Sequence, residues 1–206
     1  MTSTYNKNKK YSDILMNTNF IVNAENISYK VNDNKLFHNL SFVIKEGEAL
    51  HVKGSNGSGK STLIRIILGI TKQTKGNILV NTNREICYLG HKNALKNYLS
   101  LEDNILLMDL NKHPDLKQFI EVLGFKKLLD VNVANLSYGQ QKKLALLRLF
   151  LNESDLIVLD EPLVGLDKET QEILNNFLVN QLNKNKAIIY TSHISCPIDS
   201  KELLIR

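Results

Sequence analysis

The stretch Gly54-Ser55-Asn56-Gly57-Ser58-Gly59-Lys60-Ser61-Thr62 fits the pattern GxxxxGK[ST], with a strand-like run before it and a helix-like run after it. Those residue types suit a phosphate chain. The glycines let successive backbone N–H groups curl inward around an anion, and a helix starting there aims the positive end of its dipole at the same point. Lys60 is expected to balance the β and γ phosphates of a nucleotide, and Ser61 to offer its hydroxyl to Mg²⁺. A glycine turn ahead of a buried helix is the plainer alternative, and it leaves the lysine unexplained.

About 100 residues later "LIVLDEP" reads as an apolar strand ending in Asp160 and Glu161. Ligands of parallel sheets sit beyond the carboxyl ends of the strands, so both acids point to the same place as the loop. Asp160 is expected to hold Mg²⁺, usually through water. Glu161 is expected to orient or deprotonate an attacking water. Alone, the two acids would read equally well as solvated groups at a strand end.

A third set is Ser137, Gly139 and Gln140 in "LSYGQQKKLALLRLFL". Ser137 with Gln140 makes an S-x-x-Q capping box at a helix start. That explains the serine and the glutamine but not Gly139. A glycine there allows close approach of another body, and the free N–H groups of the helix start make a second anion site. If both anion sites serve one nucleotide, they come from two chains.

The order of these motifs resembles that of the ABC-type ATPases over residues 20 to about 195. "LSYGQ" is similar to their LSGGQ signature, with Tyr138 in place of the first glycine. "VGLD", with Asp167, matches the D-loop, and "TSH", with His193, matches the switch histidine. The resemblance implies ATP and Mg²⁺ as ligands and a head-to-tail homodimer. In it Ser137, Gly139 and Gln140 meet the γ-phosphate in trans, and His193 meets it in cis. Tyr29 in "ISYK" matches the aromatic that stacks on adenine, or is a half-buried strand tyrosine. His91 stands where the family usually carries the glutamine of the Q-loop. An imidazole can still hydrogen-bond there, and a surface loop histidine is the alternative.

"YLGH" followed by "LSLEDN" further resembles the ATP-binding subunit of the haem exporter of cytochrome c maturation. This implies integral membrane permease subunits of the haem exporter type, a haem chaperone, and a place on the cytoplasmic side of the inner membrane. Alternatives that keep the same motifs are an ABC transporter for another substrate and a non-transport ATP-dependent dimerisation clamp.

The elements that must position these residues follow from the patterning. Period-two alternation in "FIVNAENISYK" and "LFHNLSFVIKEG" predicts antiparallel strands, and "EALHVKG", "NILV", "EICYLG", "LIVLD" and "AIIYTSH" predict further strands. Helices are expected at Lys60 to Ile70, in two pieces between Leu101 and Phe125, after Ser137, and at Lys168 to Leu182. Strand and helix alternate, so the fold class is α/β. A mainly parallel central sheet is expected, with a small antiparallel unit in front and a compact helical subdomain at about 92–150. Leu101, Ile105 and Met108 share one helical face with Leu106 and Leu110 adjacent, either as core or as a surface for a partner.

Composition limits the rest. The chain has 206 residues and 43% hydrophobic content, enough for one domain at 20–206 behind a polar leader at 1–19 expected to be flexible. No apolar run reaches the roughly 20 residues of a bilayer span. Of the net charge of +5, Lys7, Lys9 and Lys10 against Asp13 put +2 in the leader. With no basic stripe and interleaved aromatics, nucleic acid is not an expected partner. Cys87 and Cys196 read as unpaired thiols in a reducing compartment, and the five histidines form no zinc pattern.

Overall fold

Alternating apolar and polar residues at the start of the domain build a twisted ribbon. Strand β1 (Phe20–Val31) pairs antiparallel with β2 (Asn34–Lys45) on one side and with β4 (Lys75–Val80) on the other. A second sheet holds β3 (Ala49–Lys53), β5 (Cys87–Leu89), β6 (Leu156–Asp160), β7 (Ala187–Thr191) and β8 (Lys201–Leu204). Its order is β5-β6-β7-β3-β8, and every pairing in it is parallel. The structure is a computed structural model and describes residues 20–32, 34–194 and 196–206. The expected leader at 1–19 lies outside the described residues.

Every residue of β6 and of β7 is buried, as a parallel sheet covered on both faces requires. Successive side chains go to opposite sides. Leu156, Val158 and Ile189 pack with Leu63, Ile64 and Ile67 of α1 (Lys60–Ile67) and with Ile27 and Ile44 of the antiparallel sheet. Ile157, Leu159 and Ile188 pack instead with Leu144 and Leu147 of α4 (Tyr138–Phe150) and with Leu174 and Leu178 of α5 (Lys168–Asn183). Two shorter helices, α2 (Leu101–Leu107) and α3 (Leu116–Val122), complete the second layer. The expected α/β class, parallel main sheet and small antiparallel sheet are all present.

Three details differ from the expected pattern. Helix α1 stops at Ile67 rather than Ile70, because Gly69 turns into the left-handed region at φ 71° and the N–H of Ile70 donates to Arg65 O at 2.9 Å. Strand β8, not foreseen, forms the edge beyond β3; its sequence "KELL" is short and half charged, so it carries no period. On α2, Leu101 and Ile105 are buried, but Leu106 is 58% exposed. At 3.6 residues per turn it lies about 140° round the helix from Leu101.

That difference is measurable by urea unfolding. Replacing Ile105 by Ala is expected to cost about 2–5 kcal/mol, whereas Leu106→Ser stays within about 0.5 kcal/mol of the parent.

Candidate functional site

The site grows from the ends of β3, β6 and β7. After Lys53 the chain turns through the glycine-rich loop into α1. At Gly54 a Cβ would sit 2.8 Å from the carbonyl oxygen of Ile205, and Gly59, at φ 103°, caps the helix in a conformation that favours glycine. Lys60 Nζ donates to the carbonyls of Gly54 (2.9 Å) and Ser55 (3.1 Å), so the ammonium sits inside the loop.

At the end of β6 the Asp160 carboxylate is 5% exposed and held on both oxygens. Ser61 Oγ donates to its Oδ2 at 2.9 Å, and Thr191 Oγ1 donates to its Oδ1 at 2.7 Å. A hydroxyl and a carboxylate side by side are a hard oxygen donor set, which suits a small divalent cation completed by phosphate and water oxygens.

Glu161 follows with φ 53°, a left-handed backbone that costs a non-glycine residue strain. Its N–H is held by Thr191 Oγ1 (3.0 Å) and Thr191 O (3.2 Å). The carboxylate is held on one side only. Its Oε2 accepts from the backbone N–H of His193 at 3.1 Å, while Oε1 is buried without a hydrogen-bond partner among the described residues. The His193 ring stands beside it, with Nε2 3.5 Å from Oε1 and 3.2 Å from Asn56 Oδ1. A buried carboxylate oxygen left free is costly, so it points to something the protein is built to receive.

One open cavity of about 500 Å³ collects Asn56, Gly57, Gly59, Lys60, Ser61, Thr62, His91, Asp160, Glu161 and His193, together with Leu36 and Val164. Leu36, Val164 and Thr191 were not singled out from the sequence. For Thr191 a signal existed: it is the one aliphatic hydroxyl in the strand "AIIYT", two residues before His193.

The remaining candidates lie elsewhere. Tyr29 is half-buried in β1, its ring 6.2 Å from that of Phe37, and lines a separate cavity of about 190 Å³ with Lys35 and Thr74. Ser137 caps α4: its Oγ accepts from Gln140 N at 3.2 Å, and Gln140 Oε1 accepts from Ser137 N at 2.8 Å. A Cβ at Gly139 would stand 3.2 Å from the carbonyl of Gly165, and the Tyr138 ring covers Gly165 itself. The close approach that Gly139 permits is thus made, within the chain, to the loop before α5. Asp167 caps α5, accepting from Thr170 N (2.8 Å) and Thr170 Oγ1 (2.6 Å), and pairs with Lys143 at 2.8 Å. The bonds from Lys143 and Thr170 hold its carboxyl well below the usual carboxylate range.

A parallel α/β sheet whose strands end at a lysine-bearing glycine loop and at a buried Asp160 bonded to Ser61 defines a P-loop nucleoside triphosphatase. The ABC transporter family model matches residues 37–164, and the chain belongs to the ATP-binding subunits of that family. The cytochrome c biogenesis ATP-binding export protein CcmA of Legionella pneumophila (strain Paris) is 31% identical over 189 residues, 85% of this chain and 94% of that protein. The protein of the same name from Vibrio vulnificus (strain YJ016) is 31% identical over 198 residues, 89% of this chain and 97% of that one. Among solved structures, an ATP binding subunit of an ABC transporter superposes with a TM-score of 0.75 at 25% identity, over 84% of this chain and 80% of that one. The chain is therefore an ATPase coupled to transport, of the kind that works with membrane permease subunits. Among the described residues no helix is long and apolar enough to cross a membrane.

The cap at Asp167 gives a test with a sign. Asp167→Ala is expected to cost about 1 kcal/mol in urea unfolding at pH 7. Because the folded carboxyl is depressed, its contribution is full above the unfolded value of about 3.9 and declines as the pH falls from there toward the folded value. The gap between parent and variant should therefore shrink only in that acid range.

Proposed function

We propose that two copies of this chain close head to tail around two ATP–Mg²⁺ and so drive a membrane exporter of cytochrome c biogenesis. The observation that carries the catalytic part is the buried free Oε1 of Glu161, a residue that lines the same cavity as Lys60 and His193.

In this reading the loop from Gly54 through Ser55, Asn56, Gly57, Ser58 and Gly59 to Thr62 cradles the phosphates with its N–H groups, and Lys60 balances the β and γ charges. Ser61 and Asp160 hold Mg²⁺, which supplies neutralisation of the phosphate charge when bound. Glu161 Oε1 takes a proton from a water as that water attacks the γ-phosphorus and ADP departs. His193, anchored near Asn56, contacts the γ-phosphate, and His91 reaches it from the cavity rim. Tyr29 stacks on the adenine.

Ser137, Gly139 and Gln140 lie outside the cavity of their own chain, which supports their use on the nucleotide of a second copy, with Asp167 beside that contact. The permease face is the loop after His91 with α2 and α3, supported by exposed Tyr98, Leu106, Leu107 and Val122. The cytochrome c biogenesis export names of the relatives support the exporter; haem as cargo, a haem chaperone in the complex and the cytoplasmic face of the inner membrane are carried over from the resemblance of "YLGH" and "LSLEDN".

Lys60→Ala is expected to weaken binding of a fluorescent ATP analogue at least about tenfold. Glu161→Gln should lower kcat by about 100-fold or more and trap an ATP-bound dimer seen by size-exclusion chromatography. Undiminished turnover in Glu161→Gln removes Glu161 from the role of base. Purification of the tagged chain from detergent-solubilised membranes with ATP and Mg²⁺ tests the partners. Recovery of cytochrome c maturation membrane proteins supports the exporter, while an unrelated permease keeps the ATPase and discards haem.

A further inference from the structure

His51 lies in β3, three residues before the phosphate loop, where Leu50 and Val52 face the core under α1. Its own side chain goes to the other face, opposite Tyr190 of β7 in the parallel register. The two rings stack with centroids 4.5 Å apart and planes 15° apart, and Tyr190 is tied at its hydroxyl to Ser200 Oγ at 3.0 Å. The ring therefore has a fixed plane. Its Nε2 reaches past the end of β7 to the carbonyl oxygen of Ser192 at 3.0 Å. A carbonyl only accepts, so Nε2 carries the hydrogen; burial lowers the pKa of His51, which makes the neutral Nε2–H ring the form that fits.

The bond matters because of which peptide it holds. Ser192 C=O and His193 N–H belong to one planar group, so fixing the oxygen fixes the direction of the N–H. That N–H is the donor to Glu161 Oε2. The left-handed backbone of Glu161 persists only because its surroundings hold it, and Thr191 and this peptide supply the bonds that do so.

We propose that His51 is a positioning residue for Glu161, acting through the Ser192–His193 peptide to keep the free carboxylate oxygen turned into the nucleotide cavity. This rests on the reading of Glu161 as the base. His51 does not line the cavity that holds Glu161, and reaches it only through the backbone donor to the carboxylate. Its loss therefore affects the chemical step more than ATP binding.

The test is steady-state ATPase kinetics with fluorescent-nucleotide titration on the full chain. His51→Phe keeps the stack on Tyr190 but has no donor, and His51→Gln offers a neutral N–H near the Nε2 position. His51→Asn carries the same amide one methylene too short. His51→Phe and His51→Asn are expected to lower kcat about tenfold with ATP affinity held within about twofold, and His51→Gln to restore kcat to within about threefold. In a Glu161→Gln background His51→Phe should cause no further loss. Equal damage from Gln and Asn, a fall in ATP affinity that matches the fall in kcat, or unchanged kcat in Phe and Asn overturns the proposal. If His51→Phe does not fold, the contrast between Gln and Asn decides it. Full turnover in Glu161→Gln alone would overturn both the base and its positioning, whereas an inactive Glu161→Gln beside an unaffected His51 series rejects only the latter.

Discussion

The buried carboxylate of Asp160 is the constraint from which the rest of the site follows. A charge taken out of water must be compensated by bonds on each oxygen, and here the compensation comes from two other segments. Ser61 belongs to the first turn of α1 and Thr191 ends β7. Satisfying one acid therefore fixes the loop helix, the central strand and the switch segment relative to one another. Thr191 then uses the same hydroxyl to accept the N–H of Glu161, which passes the fixed geometry on to the strained residue and, through it, to His193.

The starts of α4 and α5 are built as a unit of their own. The first turn of α4 lies against Gly165, and Lys143 of α4 pairs with the Asp167 cap of α5, so the two helix starts are tied to each other. This piece packs on one face of the main sheet, while α1 and its loop pack on the other. The sheet therefore stands between α1 with its loop and the start of α4, which is why the proposed reading sends the start of α4 to the nucleotide of a second copy. The charge balance agrees: the signature end of α4 brings N–H donors and no acid in its first turn, ready for an anion.

Much of this was legible in the sequence wherever chemistry and local pattern coincide. The glycine loop, Asp160, Glu161, His193 and the Ser137 cap are fixed by short-range spacing, and they stand where strand ends and helix starts put them. What stayed hidden depends on partners distant along the chain. The left-handed backbone of Glu161 leaves no mark in "LDEP", because its support comes from Thr191 and His193. The strand "KELL" has no period and exists only because β3 offers an edge. His51 reads as a polar interruption in "ALHVK" until β7 sets it on Tyr190. For Leu106 the sequence left core and partner surface open, and its angle on the helix carries it away from the buried face.

His91 shows how the two units are joined. The chain from His91 to Leu99 lacks regular structure after β5, yet it is held from two helices. Asn104 of α2 accepts the N–H of Lys96 at 2.8 Å and donates to its carbonyl at 3.1 Å, and Arg148 of α4 donates to the carbonyl of Asn93 at 3.0 Å. Asn104 is buried, so these bonds are sheltered from competition with water. The segment that carries His91 at the cavity rim is thus bonded to α2 at Lys96 and to α4 at Asn93. These side-chain bonds join helix α2 to the cavity rim without passing through the sheet.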